Sequence, residues 1–147
     1  MSDTSEPQRL ESALTRKVEA ERLIEQVAHA VSPGSKPRPS GAGSDYGPSE
    51  CTAPRTGQVY YTISRQFDAP SGKTGADLVP ALRASFERHG FKTANQEDVG
   101  EFVRFLGETQ YVGFNVLAYN TSRLVQINLD TECGSPEPSS PDTATAP

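Results

Sequence analysis

From Val59 to Phe67 the odd positions Val59, Tyr61, Ile63 and Phe67 are apolar, while Tyr60, Thr62, Ser64 and Gln66 are more polar. This is the period-two alternation of a strand with one buried face. The same alternation returns twice, with Val112, Phe114, Val116 and Ala118 on even positions and Val125, Ile127, Leu129 and Cys133 on odd ones. The core faces of these two strands align only where paired positions sum to an odd number. A turn over residues 120–123 supplies that register and sets Phe114 opposite Leu129 and Val116 opposite Ile127, apolar pairs on one face. A strand over about residues 99–106 is ambiguous by pattern, because Phe102 with Leu106 and Val103 with Phe105 are all apolar. An even-length loop over residues 107–110 turns Val103 and Phe105 inward.

Helical spacing appears in two other segments. Over residues 5–31, Leu10, Leu14, Leu23, Ile24, Val27 and Val31, with Ala20 and Ala28, form one stripe opposite Arg16, Lys17, Glu19, Arg22 and Glu25. Ser5 with Gln8 suits a capping box, Pro7 suits the first turn, and Ser32-Pro33-Gly34 cannot continue the helix. A second helix begins near the Thr74/Asp77 capping box, nearer Asp77 because Pro80 is tolerated only in the first turns. Leu78, Leu82 and Phe86 recur every four residues, Gly90 supplies a left-handed C-cap, and Phe91 folds back onto the last turn.

The remaining stretches are polar. Residues 32–50 are mostly Ser, Pro and Gly and read as a flexible linker, so the first helix is expected to be tethered rather than embedded. Residues 1–4 and the Pro, Ser and Thr tail 134–147 are expected to be disordered. The predicted fold is therefore α+β: an amphipathic N-terminal helix, then a 51–133 core whose four-stranded antiparallel sheet (β-α-β-β-β) carries one packed helix. In strand order it reads 2-3-4-1, with the first and last strands as antiparallel neighbours.

Composition narrows the classes. At 147 residues, with 12 Gly and 12 Pro, the chain suffices for one small core with polar appendages. The formal net charge is -5 and the cations are scattered, which argues against nucleic acid. Apolar runs fall short of the roughly 18 residues of a membrane span, and no signal-peptide pattern opens the chain, so a soluble domain is expected. Cys51 precedes the first core strand and Cys133 ends the last, where a small core uses a staple. Closing that loop stabilises by about 4.5 kcal/mol in the chain-entropy model, and a bridge implies an oxidising compartment. The alternative is a pair of buried thiols in a cytosolic protein. Metal binding would need further ligands, and His29 and His89 sit at unrelated positions, so neither metal nor cofactor is expected.

The spacing Leu82-x-x-x-Phe86-x-x-x-Gly90-Phe91, the three-strand meander, and Val125-Gln-Ile-Asn-Leu-Asp-Thr-Glu-Cys133 before a Pro-rich tail resemble small predicted lipoproteins and secreted proteins of high-GC Gram-positive (actinobacterial) type. Most of these have no assigned function. Ser2-Asp3-Thr4-Ser5 is similar to the polar tether after the lipidated cysteine of such proteins, with Met1 standing where that cysteine would be. The resemblance implies an extracytoplasmic location, at the cell surface or secreted, and a lipid anchor in the native precursor.

Candidate chemistry is sparse. Ser71-Gly72-Lys73-Thr74 between a strand and a helix, with Asp130 ending an apolar strand, evokes a phosphate-binding loop with a magnesium-binding aspartate. Phe67 stands where that motif needs its first glycine, and a turn followed by an N-cap explains the same residues. His89 suits a helix C-terminus, and Asp68, Asp77, Asp98 and Asp130 suit turns and caps. Asn120-Thr121-Ser122 matches a glycosylation sequon and fits the hairpin turn equally. Tyr60, Tyr111 and Tyr119, joined by Leu117, lie opposite the core positions and form a candidate binding surface. The first helix has an apolar stripe to bury, and folding back over these tyrosines is the expectation. Two functions follow: a non-catalytic binding or accessory domain for a protein, peptide or cell-envelope component, or a small enzyme or enzyme inhibitor with a loop-built site. A pocket holding His89 beside a carboxylate would favour the second.

Overall fold

In the computed structural model, which describes residues 11–40 and 45–136, the helix expected over residues 5–31 is α1, Ala13–Val31. Ser12 caps it, its hydroxyl accepting from the Thr15 amide at 3.1 Å. The Ser5/Gln8 box, Pro7, Leu10, and the disorder expected for residues 1–4 and beyond 136 lie outside the described residues. After α1 come β1 (Arg38–Pro39), β2 (Tyr46–Glu50) and β3 (Val59–Asp68), then a 3-10 turn (Ala76–Leu78) running into α2 (Val79–Arg88). Four strands follow: β4 (Lys92–Asp98), β5 (Phe102–Glu108), β6 (Gly113–Tyr119) and β7 (Leu124–Asp130).

The sheet is antiparallel throughout, in the order β1-β3-β7-β6-β5-β4, with β2 on the same flank of β3 as β1. Its centre matches the alternation: Phe114 opposes Leu129, Val116 opposes Ile127, and β3 pairs with β7 through Ile63/Leu129 and Phe67/Val125. Phe105 points inward and is fully buried. The α+β reading stands, but the sheet has seven strands rather than four. The three extra ones are edge strands with no buried face to announce them. Arg38–Pro39 and Tyr46–Glu50 carry Ser, Pro and Gly because an edge strand tolerates residues that cannot donate on its free side. In β4 the sequence Lys-Thr-Ala-Asn-Gln-Glu-Asp is almost wholly exposed and interrupted by a bulge near Asn95, which has φ 57°. Part of the supposed linker is thus sheet. Gly134 and Ser135, assigned to the tail, also belong to the fold: Gly134 bridges Val59, and Ser135 exchanges hydrogen bonds with Glu11 and Ala13.

Both helices lie on one side of the sheet, so α1 is embedded rather than tethered. Ile24, Val27 and Ala28 join Leu82, Phe86, Ile63 and Phe67 in a single core, whereas Leu14, placed on the predicted stripe, is exposed. α2 keeps its predicted punctuation: the amide of Thr74 donates to Asp77 and that of Asp77 to the Thr74 hydroxyl, and Gly90 has φ 91°. The Phe91 amide reaches the Phe86 carbonyl, and the Phe91 ring meets that of Phe86 edge-on at 5.6 Å. Phe86 also stacks on Phe114 at 3.9 Å. Opposite Phe114 stands Gly107, where a Cβ would come within 2.1 Å of the Phe114 ring. That glycine exists because the ring fills its space.

Cys51 and Cys133 are disulfide-bonded, with Cα atoms 6.5 Å apart and a sequence separation of 82. The link closes the end of the sheet where β3 begins and β7 finishes. Among the described residues no helix is long and apolar enough to cross a membrane.

Candidate functional site

Strand pleating sends alternate side chains of β3, β5, β6 and β7 away from the helices, where neither α1 nor α2 covers them. The expectation that α1 folds over the tyrosines is therefore corrected: its stripe is buried on the face that α2 also occupies. The outer face is unusual in what it presents. Its centre is a ladder of amides and hydroxyls, each half-buried by its neighbours. Asn128 donates to the Asn115 amide oxygen at 2.8 Å and accepts from Ser64 and, at 3.0 Å, from Gln126. Toward the start of β3, the Thr62 hydroxyl donates to Asp130 Oδ1 at 2.7 Å. Cross-strand hydrogen bonding of this kind holds planar polar groups in fixed orientations.

Two hollows open on this face. One, of about 470 Å³, lies at the disulfide end and is lined by Tyr60, Tyr111, Arg55, Glu50, Asp130 and the two half-cystines, among others. The second, of about 570 Å³, runs across the sheet past Tyr46, Thr62, Leu106, Asn115 and Asn128. Gly113 and Asp130 belong to both. Gly113 creates the depression: in its row Asp130 and Glu108 stand on either side, and a Cβ there would have nothing closer than 3.9 Å. The Arg55 guanidinium sits 4.7 Å from the centre of the Tyr111 ring.

Compared with known proteins, the chain matches no family model, no curated protein and no solved structure.

The four residues singled out from sequence divide into two groups. Tyr60 and Tyr111 share the disulfide-end hollow, Tyr60 from β3 and Tyr111 from the loop joining β5 and β6. Leu117 and Tyr119 lie farther along β6, where Tyr119 meets Phe102 of β5 with ring centres 5.6 Å apart. Six residues separate Tyr119 from Gly113, about 20 Å along a strand. Arg55, Asn115 and Asn128 carry no expectation from sequence, and Asp130 carries only that of a magnesium-binding aspartate or a turn residue. Their one signal was the run of amide and carboxylate side chains at Gln126, Asn128 and Asp130, the polar half of an alternation read only for its apolar half.

Other candidates resolve into structural roles. Asp130 and Lys73 sit at opposite ends of the sheet, since Thr62 pairs with Asp130 whereas Asp68 precedes the loop carrying Gly72 and Lys73. Gly72 (φ 86°) makes the turn before the Thr74 cap. His89 contacts the Ser85 carbonyl at 3.0 Å and the Gln26 side-chain oxygen at 3.3 Å, linking the helices. Asn120 donates to Gly100 and Asp98, fastening two turns together. Among the described residues no group of three or more His, Cys, Asp or Glu side chains could hold a metal ion.

The strongest electrostatics lie on the helix side. Arg65, largely buried on β3, pairs with Asp45 and, at 3.0 Å, with Glu21 of α1. The Arg65 hydrogen bond holds the Asp45 carboxyl below its ordinary range, and the same bond raises the guanidinium's pKa. Burial acts to lower the Lys17 pKa, but hydrogen bonds to Glu21 and Asp45 outweigh it and raise it overall. Burial, then the Glu11 charge, pushes Glu19 up. These charges clamp α1 to the edge of the sheet.

Proposed function

We propose that the protein is a non-catalytic, extracytoplasmic binding domain, held at the cell surface like the lipoproteins it resembles, that recognises an envelope component on the open face of its sheet. The observation that carries this reading is the one-sided packing: with both helices on one face, the described residues leave the Tyr60/Tyr111 hollow and the amide ladder uncovered on the other. Pre-formed hollows with convergent polar groups on a rigid element are the usual setting for a ligand. The disulfide supports an oxidising location, and it lines the hollow directly. The Ser135 amide donates to the Glu11 carbonyl at the disulfide end, so the first and last described stretches lie side by side there. The rival reading, a small enzyme or enzyme inhibitor, draws no support from His89, whose contacts are an amide and a backbone carbonyl.

The test is co-sedimentation of the oxidised protein with purified cell envelope, comparing wild type with the Tyr60→Ala/Tyr111→Ala double variant. Retention of wild type and loss of at least tenfold in the variant supports the reading. Equal retention of both, with the variant shown to be folded, removes the outer face from consideration.

A further inference from the structure

Resting on the reading that the outer face binds an envelope component, we infer that its ligand is an oligosaccharide chain bearing neutral or amino-substituted sugars, laid along the joined hollows. The chemistry of the surface is the argument. A partner protein is anchored by a central cluster of aromatic and aliphatic side chains depleted of charge, with polar groups at the rim. Here the arrangement is inverted: the centre is Ser64, Asn115, Gln126 and Asn128, and the aromatic residues Tyr46, Tyr60 and Tyr111 stand around it. Asn128 and Gln126 spend most of their capacity on their neighbours, whereas the Asn115 amide, which among the described residues only accepts from Asn128, keeps donor and acceptor capacity for a ligand hydroxyl or acetamido group. Tyrosine rings supply flat apolar faces for the C–H faces of a sugar ring.

Charge narrows the class further. Glu50 and Asp130 line the disulfide-end hollow against Arg55, whose guanidinium is already placed over Tyr111. Asp130 uses Oδ1 for Thr62, and it lies where the hollows meet. An acidic glycan, a nucleic acid or a phosphorylated polymer would meet net negative charge there, whereas a neutral or amino sugar would not. Shape agrees: from Tyr46 on β2 to Leu106 on β5 the floor crosses four strand-to-strand spacings, about 19 Å. That is a track for several ring units rather than a pocket for one.

The experiment is a calorimetric titration of the oxidised protein with chitotetraose, its fully deacetylated counterpart, and tetragalacturonate. One or both of the first two should bind saturably, and tetragalacturonate at least tenfold more weakly. Asn128→Ala should weaken binding roughly tenfold, the size expected for losing one buried hydrogen-bond partner. Asp130→Asn should narrow the gap between the amino and acidic probes, a change that mere loss of packing would not produce. Urea unfolding of each variant separates misfolding from lost contact. Absence of binding by both favoured probes at millimolar concentration, or equal binding of the uronate, overturns the inference. If envelope retention still depends on Tyr60 and Tyr111 in that case, only the ligand class is wrong. If it does not, the outer face itself was misjudged.

Discussion

The two faces of this sheet are made by alternate residues of the same strands, yet they are built on opposite principles. On the helix side Phe67, Phe105, Val116 and Ile127 are wholly buried and packed against α1 and α2. On the other, Ser64, Asn115, Gln126 and Asn128 are half-exposed and bonded mainly to each other. Apolar burial is worth about 25 cal/mol per Å², whereas a solvated hydrogen bond contributes on the order of 1 kcal/mol net. One face can therefore carry the fold, and the other is released from that constraint. A sheet covered on both sides would have no such division.

That division can be broken by substitution. The largest effect is expected from Phe86→Ala, which empties the centre of the aromatic cluster and should cost about 3–5 kcal/mol in urea unfolding. Next comes the staple: the Cys51→Ser/Cys133→Ser pair should lose up to about 4.5 kcal/mol, measured values usually being lower, and should loosen the hollow that the bridge lines. The sharpest contrast uses one substitution on either face of the same hairpin. Gly107→Ala drives a methyl into the Phe114 ring and should cost about 1–3 kcal/mol, while Gly113→Ala projects into open space and should be neutral or slightly stabilising. Equal unfolding midpoints for these two would contradict the packing described.

A smaller effect concerns pH. The folded pKa of Asp45 lies below its unfolded value, so the stabilisation it shares with Arg65 is complete above the ordinary carboxylate range and is lost as pH falls through the folded value. Stability should thus decline below about pH 4, and Asp45→Asn should flatten part of that decline. Glu19 behaves oppositely, its raised pKa marking a carboxylate the fold disfavours. Glu19→Gln should raise the melting temperature slightly at neutral pH, the smallest of these changes.

How much of this was legible depended on whether a residue has one buried neighbour or none. The β6/β7 register followed from Phe114, Val116, Ile127 and Leu129, because a one-residue slip would have turned all four to solvent. The β3/β7 pairing followed from Cys51 and Cys133, since a covalent bond leaves few arrangements. β4 was illegible because Lys92, Gln96 and Glu97 lie on an edge and bury nothing. The stripe of α1 showed that Ile24 and Val27 must be buried but not against which face, and a stripe is symmetric to that question. At the candidate site the tyrosines were visible as exposed aromatics, yet Tyr119 was grouped with Tyr60 although the strand carries it to the far end. The amide ladder escaped notice because Asn, Gln and Ser on an outer face look like ordinary solvation until their partners are known.

The central claim, that folding and binding are assigned to opposite faces, is tested most directly by Gly113→Val. Valine favours an extended strand and should fill the depression shared by both hollows without reaching the core. An unchanged urea midpoint with envelope retention reduced at least tenfold is the predicted result. Retention equal to wild type, or a loss of retention that merely tracks a loss of stability, would contradict it.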